Sequence, residues 1–154
     1  MRINPEYAEV WNDLGLAYDK IGQTNQALGA YEQALRVDPE VAAAWYNLGT
    51  TYIKAGQFFK AIETLQQFLR LQPEDSGAWY ILGHAYSKVD QYPKAIEAHQ
   101  QALRINPEFT EAWIGLGVAY SKSGQRGQAV VVYKRLKTLN PALAEQFFNE
   151  VVIP

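Results

Sequence analysis

The sequence predicts an all-α fold made of one helical hairpin repeated along the chain. Four tryptophans, Trp11, Trp45, Trp79 and Trp113, stand 34 residues apart. The same step links five further ladders, which begin at Leu14, Gly15, Tyr18, Ala27 and Pro39. A fixed period of this length is the sequence signature of a repeat architecture, in which each unit buries its apolar face against the next.

Each unit divides into two predicted helices. Trp11, Leu14, Gly15 and Tyr18 fall at i, i+3, i+4 and i+7, which is the spacing of one helix face, and we call this segment helix A. Ala27, Tyr31, Ala34 and Leu35 give a similar pattern, which we call helix B. The tryptophan stripe is predicted to be core, and Gly15 and Ala27 are predicted to let the two helices approach closely.

Turn residues are predicted to separate the helices. Gly22, Gly56 and Gly124 suit the left-handed residue that follows a helix, and Asp90 takes that place in the third unit. Pro93 is predicted at the start of a helix B, where a missing N–H is tolerated. The proline ladder from Pro39 is predicted to end each helix B and to hold the preceding residue extended.

The pattern Trp-x2-Leu-Gly-x2-Tyr, followed by Ala-x3-Tyr-x2-Ala and Pro, runs from Trp11 to Pro39 and resembles the tetratricopeptide repeat. It recurs in phase, with Leu65 and His99 standing where Tyr31 and Tyr133 stand in the other units. The resemblance implies a right-handed α-α superhelix, a solenoid of stacked antiparallel helical hairpins. It also implies that helix A lines a concave groove, and that the chain binds a peptide or a protein.

The predicted organisation is a single array with four full repeats. Residues 1–7 are interpreted as the remnant of a preceding repeat, because Arg2-Ile3-Asn4-Pro5 aligns with Arg36-Val37-Asp38-Pro39. Residues 144–154 are interpreted as a partial or capping helix, since Phe147 lies one step after Trp113. The repeats between them are predicted at 8–41, 42–75, 76–109 and 110–143.

The side of helix A opposite the tryptophan stripe is the predicted groove. It is nearly uncharged, and exposed apolar or aromatic stripes usually mark contacts. An alternative is that neighbouring A helices partly bury it. The candidate peptide-binding residues are Asn12, Leu16, Tyr46, Asn47, Thr50, Tyr80, Ile81, His84, Ile114 and Val118.

Two narrower versions of the family groove do not fit these positions. The carboxylate clamp of chaperone-binding members and the asparagine ladder of glycosyltransferase superhelices each match only at Asn47. A third stripe of helix A, which begins Val10, Ala17 and Ile21, is predicted to pack on the neighbouring hairpin. Its second copy is Ala44, Thr51 and Ala55.

Three smaller patterns were weighed. Lys20, Lys54, Lys88 and Lys122 form a ladder that suits the last turn of each helix A, where a cation complements the macrodipole, although a basic strip for an acidic partner is the alternative. His99 is predicted to be packed and His84 to be a groove contact. Val131 is predicted to be covered by the C-terminal helix, with a self-association patch as the alternative.

Composition excludes several function classes. A net charge of −2 and no basic cluster argue against nucleic acid and membrane surfaces. The chain has 0 Cys and no apolar run of membrane-spanning length, so neither a thiolate site nor membrane insertion is expected. No catalytic constellation or phosphate-binding loop is visible, and two histidines make a poor metal site, so we expect no enzyme activity, cofactor or metal.

The sequence therefore predicts a protein–protein interaction scaffold that binds a peptide or protein segment through apolar and aromatic contacts in the groove. One alternative is a self-assembling module, a homo-oligomer that stacks or exchanges its terminal helices. Another is the targeting arm of a larger enzyme. A soluble, cytoplasmic location is favoured, with another compartment left open for the parent protein.

Overall fold

The computed structural model describes residues 6–152, apart from the side chain of Glu6. The predicted remnant at residues 1–7 falls mostly outside this part, while Glu6 and Tyr7 already belong to the first helix. The chain divides into two compact units, Met1–Pro73 and Glu74–Pro154. Helices and turns account for the whole described part, so the predicted all-α class is confirmed.

Unit 1 consists of two helical hairpins. Helices α1 (Glu6–Lys20) and α2 (Thr24–Val37) form the first, and α3 (Ala42–Lys54) and α4 (Phe58–Leu71) form the second. Besides the contacts within each hairpin, α2 packs on α3, and α1 also touches α3.

Unit 2 repeats this plan and adds a terminal segment. Its hairpins are α5 (Ser76–Lys88) with α6 (Tyr92–Ile105), and α7 (Thr110–Lys122) with α8 (Arg126–Leu139). Helix α9 (Pro141–Phe147) and a π-helical turn, Phe148–Val152, follow. None of the helices described between residues 6 and 152 is long and apolar enough to cross a membrane.

The turns form as their residues predict. Gly22, Gly56 and Gly124 have φ of 75°, 70° and 78°, and Asp90 has φ of 58°. The Asp90 carboxylate accepts a hydrogen bond from the Tyr92 hydroxyl at 2.6 Å, which helps to fix this turn. Pro93 lies in the first turn of α6, as predicted.

The centre of the core is formed by B-helix side chains that lie against the helix-A glycines. A Cβ atom added to Gly15 would lie 2.5 Å from the Tyr31 ring, and one added to Gly49 would lie 2.8 Å from Leu65. Both B-helix side chains are fully buried. The helix-A glycine therefore makes room for a B-helix side chain, in addition to letting backbones approach.

The prediction that the tryptophans form the core is wrong. Trp11 is 37% exposed, and the other three are only partly buried. The indole Nε1–H of Trp45 donates to the carbonyl of Pro39 at 2.8 Å, and that of Trp113 donates to Pro107 at 2.9 Å. An indole must satisfy its N–H, and the nearest acceptors lie in the loop before helix A, so the ring stays at the edge of the core.

The C-terminal segment caps unit 2 in an unexpected register. Phe147 is 3% exposed, and its ring reaches within 2.3 Å of where a Gly117 Cβ would lie. Tyr133, which the ladder would place against Gly117, instead packs on Phe148 with ring centroids 4.6 Å apart. The Ser121 hydroxyl also donates to the carbonyl of Val151 at 2.8 Å. The segment is thus a cap of its own chain that begins at Pro141.

Two surfaces predicted to be covered are exposed. Val10 of α1 and Ile21 just after it are 62% and 67% exposed, and Ala17 is also exposed. In the second copy of this stripe, Ala44 and Thr51 are buried, whereas Ala55 is exposed. Helix α2 packs on α3, whereas no helix described within residues 6–152 lies over that stripe of α1. Val131 is 57% exposed, so the prediction that the C-terminal helix covers it is wrong.

Candidate functional site

Unit 2 contains a pocket of about 400 Å³ between its two A helices. Helix α5 supplies one wall, α7 supplies the other, and α6 supplies the floor and one corner. The lining residues are Tyr80, His84, Ser87, Lys88, Tyr92, His99, Glu111, Ile114, Gly115, Val118 and Lys122. Tyr80, His84, Ile114 and Val118 were predicted groove residues, so the structure brings these four together.

The pocket exists because two small residues face one flat ring. His99 of α6 is 1% exposed and lies between two glycines. A Cβ on Gly83 would fall 2.7 Å from its ring, and a Cβ on Gly115 would fall 2.6 Å from it. Because neither glycine carries a side chain, the imidazole packs directly against both A helices, and it also lines the pocket as its floor.

The floor is polar but uncharged near neutral pH. Burial, with a smaller contribution from the neighbouring His84, lowers the pKa of His99 to about 4. Within the described part of the chain, the buried Nδ1 atom of His99 has no hydrogen-bond partner. Burial also lowers the pKa of His84, and the nearby Lys88 adds to this effect.

Aromatic packing holds the α5 wall in place. The Tyr80 ring lies 5.7 Å from the His99 ring and 5.1 Å from the Phe109 ring, measured between centroids. Burial raises the pKa of Tyr80, and the carboxylate of Glu111 raises it further. Tyr80 is therefore a neutral, rigid wall with a hydroxyl.

Charge is distributed unevenly along the pocket. Lys88 and Lys122 lie in the last turns of α5 and α7, and Glu111 lies in the first turn of α7. Eleven residues separate Glu111 from Lys122, which is about 16 Å along a helix. One end of the pocket is thus cationic, the other end is anionic, and the middle is apolar.

On the equivalent face of unit 1, side chains bond to one another. The Asn47 amide donates to Oδ1 of Asn12 at 2.9 Å, so these two candidates bond to each other. Asn12 is 8% exposed. Lys54 pairs with Asp19. In the ladder Asn12, Asn47 and Asp19 correspond to Tyr80, Gly115 and Ser87.

The other predicted groove residues are partly buried. Tyr46 packs on Phe68 with centroids 5.2 Å apart, and the Thr50 hydroxyl donates to the Asn47 carbonyl at 3.0 Å. Leu16 packs against the core of unit 1. Ile81 on α5 is half-buried and does not line the pocket. Their role as ligand contacts stays a prediction.

The candidate residues predicted from the sequence did not include Lys88, Lys122 or Gly115, although Gly115 lies on the predicted groove side of its helix. The lysine ladder was interpreted mainly as a response to the helix dipole, and each lysine does lie in a last turn. The sequence did contain a signal for the unpaired lysine, on the preceding A helix of each unit. In unit 1 the A helix before Lys54 carries Asp19, whereas in unit 2 the A helix before Lys122 carries Ser87 at the equivalent position.

No group of three or more His, Asp or Glu side chains suited to a metal ion occurs among residues 6–152. His84 and His99 are neighbours, but the His99 ring is buried between Gly83 of α5 and Gly115 of α7. Nothing in this geometry favours a metal or cofactor over an organic ligand.

Comparison with known proteins supports the resemblance. Models described as "Tetratricopeptide repeat" match residues 22–85, 76–109 and 110–143. A crystal structure of MamA is 30% identical, with 92% of this chain and 83% of that chain covered and a TM-score of 0.84. A MamA structure from Desulfovibrio magneticus RS-1 is 26% identical, covers 88% and 76%, and has a TM-score of 0.82.

A third structure is described as YrrB, "a TPR protein with an unusual peptide-binding site". It is 25% identical, covers 95% of this chain and 75% of that chain, and has a TM-score of 0.84. A search of curated proteins found no match. Proteins of this repeat class are typically non-catalytic interaction scaffolds, whereas the absence of enzyme activity in this chain stays a prediction.

Proposed function

Because the chain belongs to the tetratricopeptide repeat family of protein-interaction scaffolds, we propose that it binds a peptide segment of another protein in the pocket between α5 and α7. The observation that carries this proposal is the pocket itself, about 400 Å³ with a largely apolar middle. Ligand pockets are typically concave and apolar with a few polar groups that fix orientation.

The chemistry of the walls favours a peptide over a small ion. Tyr80 offers rigid area with a hydroxyl, and aromatic residues of this kind often dominate binding energy. Ile114 and Val118 add an apolar wall opposite. The peptide-binding site described for YrrB supports the same class of ligand.

Peptide display on the purified chain, followed by affinity measurement, tests the proposal. We expect Tyr80→Ala to weaken the selected peptides roughly tenfold or more, as loss of an interface anchor does. Tyr46→Ala is the matched control, because Tyr46 stands one repeat step earlier outside the pocket. Thermal melts of both variants separate lost binding from lost folding.

A variant that fills the pocket gives an independent test. Val118→Lys keeps the buried core and places a long side chain where the ligand would lie. If selected peptides bind this variant and Tyr80→Ala as tightly as the parent chain, the pocket is not the binding site.

The exposed stripe of α1 favours self-association as a second candidate function. Tyr7 and Val10 of α1 and Ile21 just after it are each at least 60% exposed, and monomeric proteins rarely leave a contiguous apolar patch uncovered. Light scattering over a range of concentrations tests this candidate. A chain that remains monomeric at the highest concentration, with a mass unchanged in Val10→Lys/Ile21→Lys, would exclude it.

A further inference from the structure

Unit 1 and unit 2 place a lysine at the same point of the ladder, but only unit 1 neutralises it. Lys54, at the end of α3, pairs with Asp19 on α1. Lys122 ends α7, and the position equivalent to Asp19 is Ser87 on α5. Among residues 6–152, neither Lys122 nor Lys88 forms an ion pair.

Other charged groups near Lys122 do not compensate for the missing acid. Glu111 lies at the far end of the pocket, about 16 Å away along α7. Among the described side chains, Glu150 borders a second depression together with Lys122 but forms no ion pair with it. Two exposed ammonium groups therefore face the same end of an apolar pocket without a carboxylate between them.

The pocket floor adds an unused polar group. His99 is 1% exposed, lines the pocket, and leaves Nδ1 without a hydrogen-bond partner within the described part of the chain. An unpaired buried polar atom costs free energy, and a ligand that bonds to it would remove that cost. In unit 1 the equivalent of His99 is Tyr31, and the equivalent of Gly115 is Asn47, whose amide donates to Asn12.

We propose that the pocket selects an internal peptide segment in which an apolar side chain adjoins an aspartate or glutamate. The apolar side chain lies over the His99 ring, between Tyr80 and Ile114. The acidic side chain reaches Lys122 and Lys88, and so takes the place that the Asp19 carboxylate holds against Lys54 in unit 1. This inference rests on the proposed function, since it names the class of segment that the same pocket accepts.

Charge complementarity at exposed lysines gives selectivity more than affinity. Exposed ion pairs are individually weak and are screened by salt. We therefore expect replacement of the ligand's acid by its amide to weaken binding roughly fivefold at low salt, and by much less in high salt. The apolar side chain supplies the part of the affinity that salt does not change.

The test is a display selection with random heptapeptides whose C termini are fused to the display protein, so that no free terminal carboxylate is present. The chain, Ser87→Asp and Ser87→Asn are selected in parallel. Ser87→Asp installs the acid of unit 1 beside Lys122, and Ser87→Asn has nearly the same shape without the charge. We expect an apolar residue beside Asp or Glu to be enriched by the parent chain and by Ser87→Asn, and the acid preference to be lost with Ser87→Asp.

Lysine variants give a second measurement on one enriched peptide and its amide analogue. Lys122→Gln should reduce the difference between the two peptides to about twofold, because Lys88 remains, whereas Lys20→Gln, the equivalent lysine of α1, should leave the fivefold difference intact. Circular dichroism confirms that each variant is folded.

The outcomes separate the two proposals. If apolar peptides without an acidic residue are enriched and their binding still depends on Tyr80, the proposed preference for an acidic segment is wrong and the proposed function is supported. Enrichment of acidic peptides that bind Ser87→Asp and Lys122→Gln unchanged also overturns this inference. A parent chain that enriches no peptide overturns both.

Discussion

The α1–α3 face of unit 1 and the α5–α7 face of unit 2 occupy equivalent places in one ladder but differ in how they satisfy their polar groups. In unit 1, Asn12 bonds to Asn47 and Asp19 pairs with Lys54. Unit 2 has Gly115 and Ser87 at two of the equivalent places, and its face contains a pocket. The frame of a repeat thus sets where side chains lie, and a few substitutions decide whether the polar groups on a face pair with one another.

The largest expected effect concerns the packing of the C-terminal segment against unit 2. Phe147→Ala should lower the free energy of unfolding by about 3 to 5 kcal/mol, because a fully buried ring against Gly117 is lost. Urea denaturation followed by circular dichroism measures the change. Phe148→Ala is the control, since Phe148 is only partly buried. Equal losses in the two variants would contradict the assignment of Phe147 as the cap.

The buried imidazole of unit 2 should make its stability depend on pH in a way that Tyr31 does not in unit 1. His99 has a pKa of about 4 in the fold and an ordinary value of 6.5. The unfolded chain therefore binds the proton first, and stability falls as the pH drops from about 6.5 towards 4.

The loss attributable to His99 should reach about 3 kcal/mol near pH 4. His99→Leu, which copies Leu65 of the second repeat, removes the titrating group. Urea denaturation of both chains at several pH values gives the difference, in which the shared carboxylates cancel. A difference that is the same at pH 7 and pH 4.5 would show that His99 is not buried as described.

The turns offer a smaller test, because unit 1 uses glycine where unit 2 uses Asp90. Asp90→Gly should gain about 0.5 to 1 kcal/mol, since a left-handed residue with a Cβ is strained, and the lost bond from Tyr92 offsets part of the gain. Gly56→Asp, the reverse exchange in unit 1, should lose a similar amount. Thermal melts of both variants should shift in opposite directions, and shifts of the same sign would contradict the strain.

The smallest effect concerns the ion pair that unit 2 lacks. Asp19→Ser should cost about 0.5 kcal/mol at low salt, because Lys54 is largely exposed and such pairs are weak. The cost should nearly vanish in 1 M salt. Asp13→Ser, on the same helix and outside this pair, serves as the control. A cost unaffected by salt would show that Asp19 acts through packing instead of charge.

Helix positions and turns followed directly from the sequence, because the period, the glycines and the prolines act locally. The tryptophans were misplaced for a physical reason. An i, i+3, i+4, i+7 stripe defines a broad face, and it does not say which member of the stripe reaches the centre. The hydrogen bond from the indole of Trp45 to Pro39 depends on the loop, which the stripe does not describe.

The candidate site was predictable only in part. Tyr80, His84, Ile114 and Val118 share a helix side and could be grouped from the sequence. The opening between them depends on His99 lying between Gly83 and Gly115, which is a contact among three helices. No single-helix periodicity contains that information. The four-repeat division at 8–41, 42–75, 76–109 and 110–143 and the right-handed superhelix stay predictions.

The exchange of Tyr133 for Phe147 against Gly117 limits how this array can be engineered. In every earlier hairpin a side chain of helix B packs against the glycine of helix A in the same hairpin, so a copied hairpin would include both partners of this contact. At Gly117 the seat belongs to a residue from the next segment. A designer who adds a further hairpin after Asn140 must first remove Phe147 from its place against Gly117 and let Tyr133 pack there instead. The sequence period therefore extends to Gly117, whereas self-contained packing within one hairpin ends with the third repeat, at Gly83.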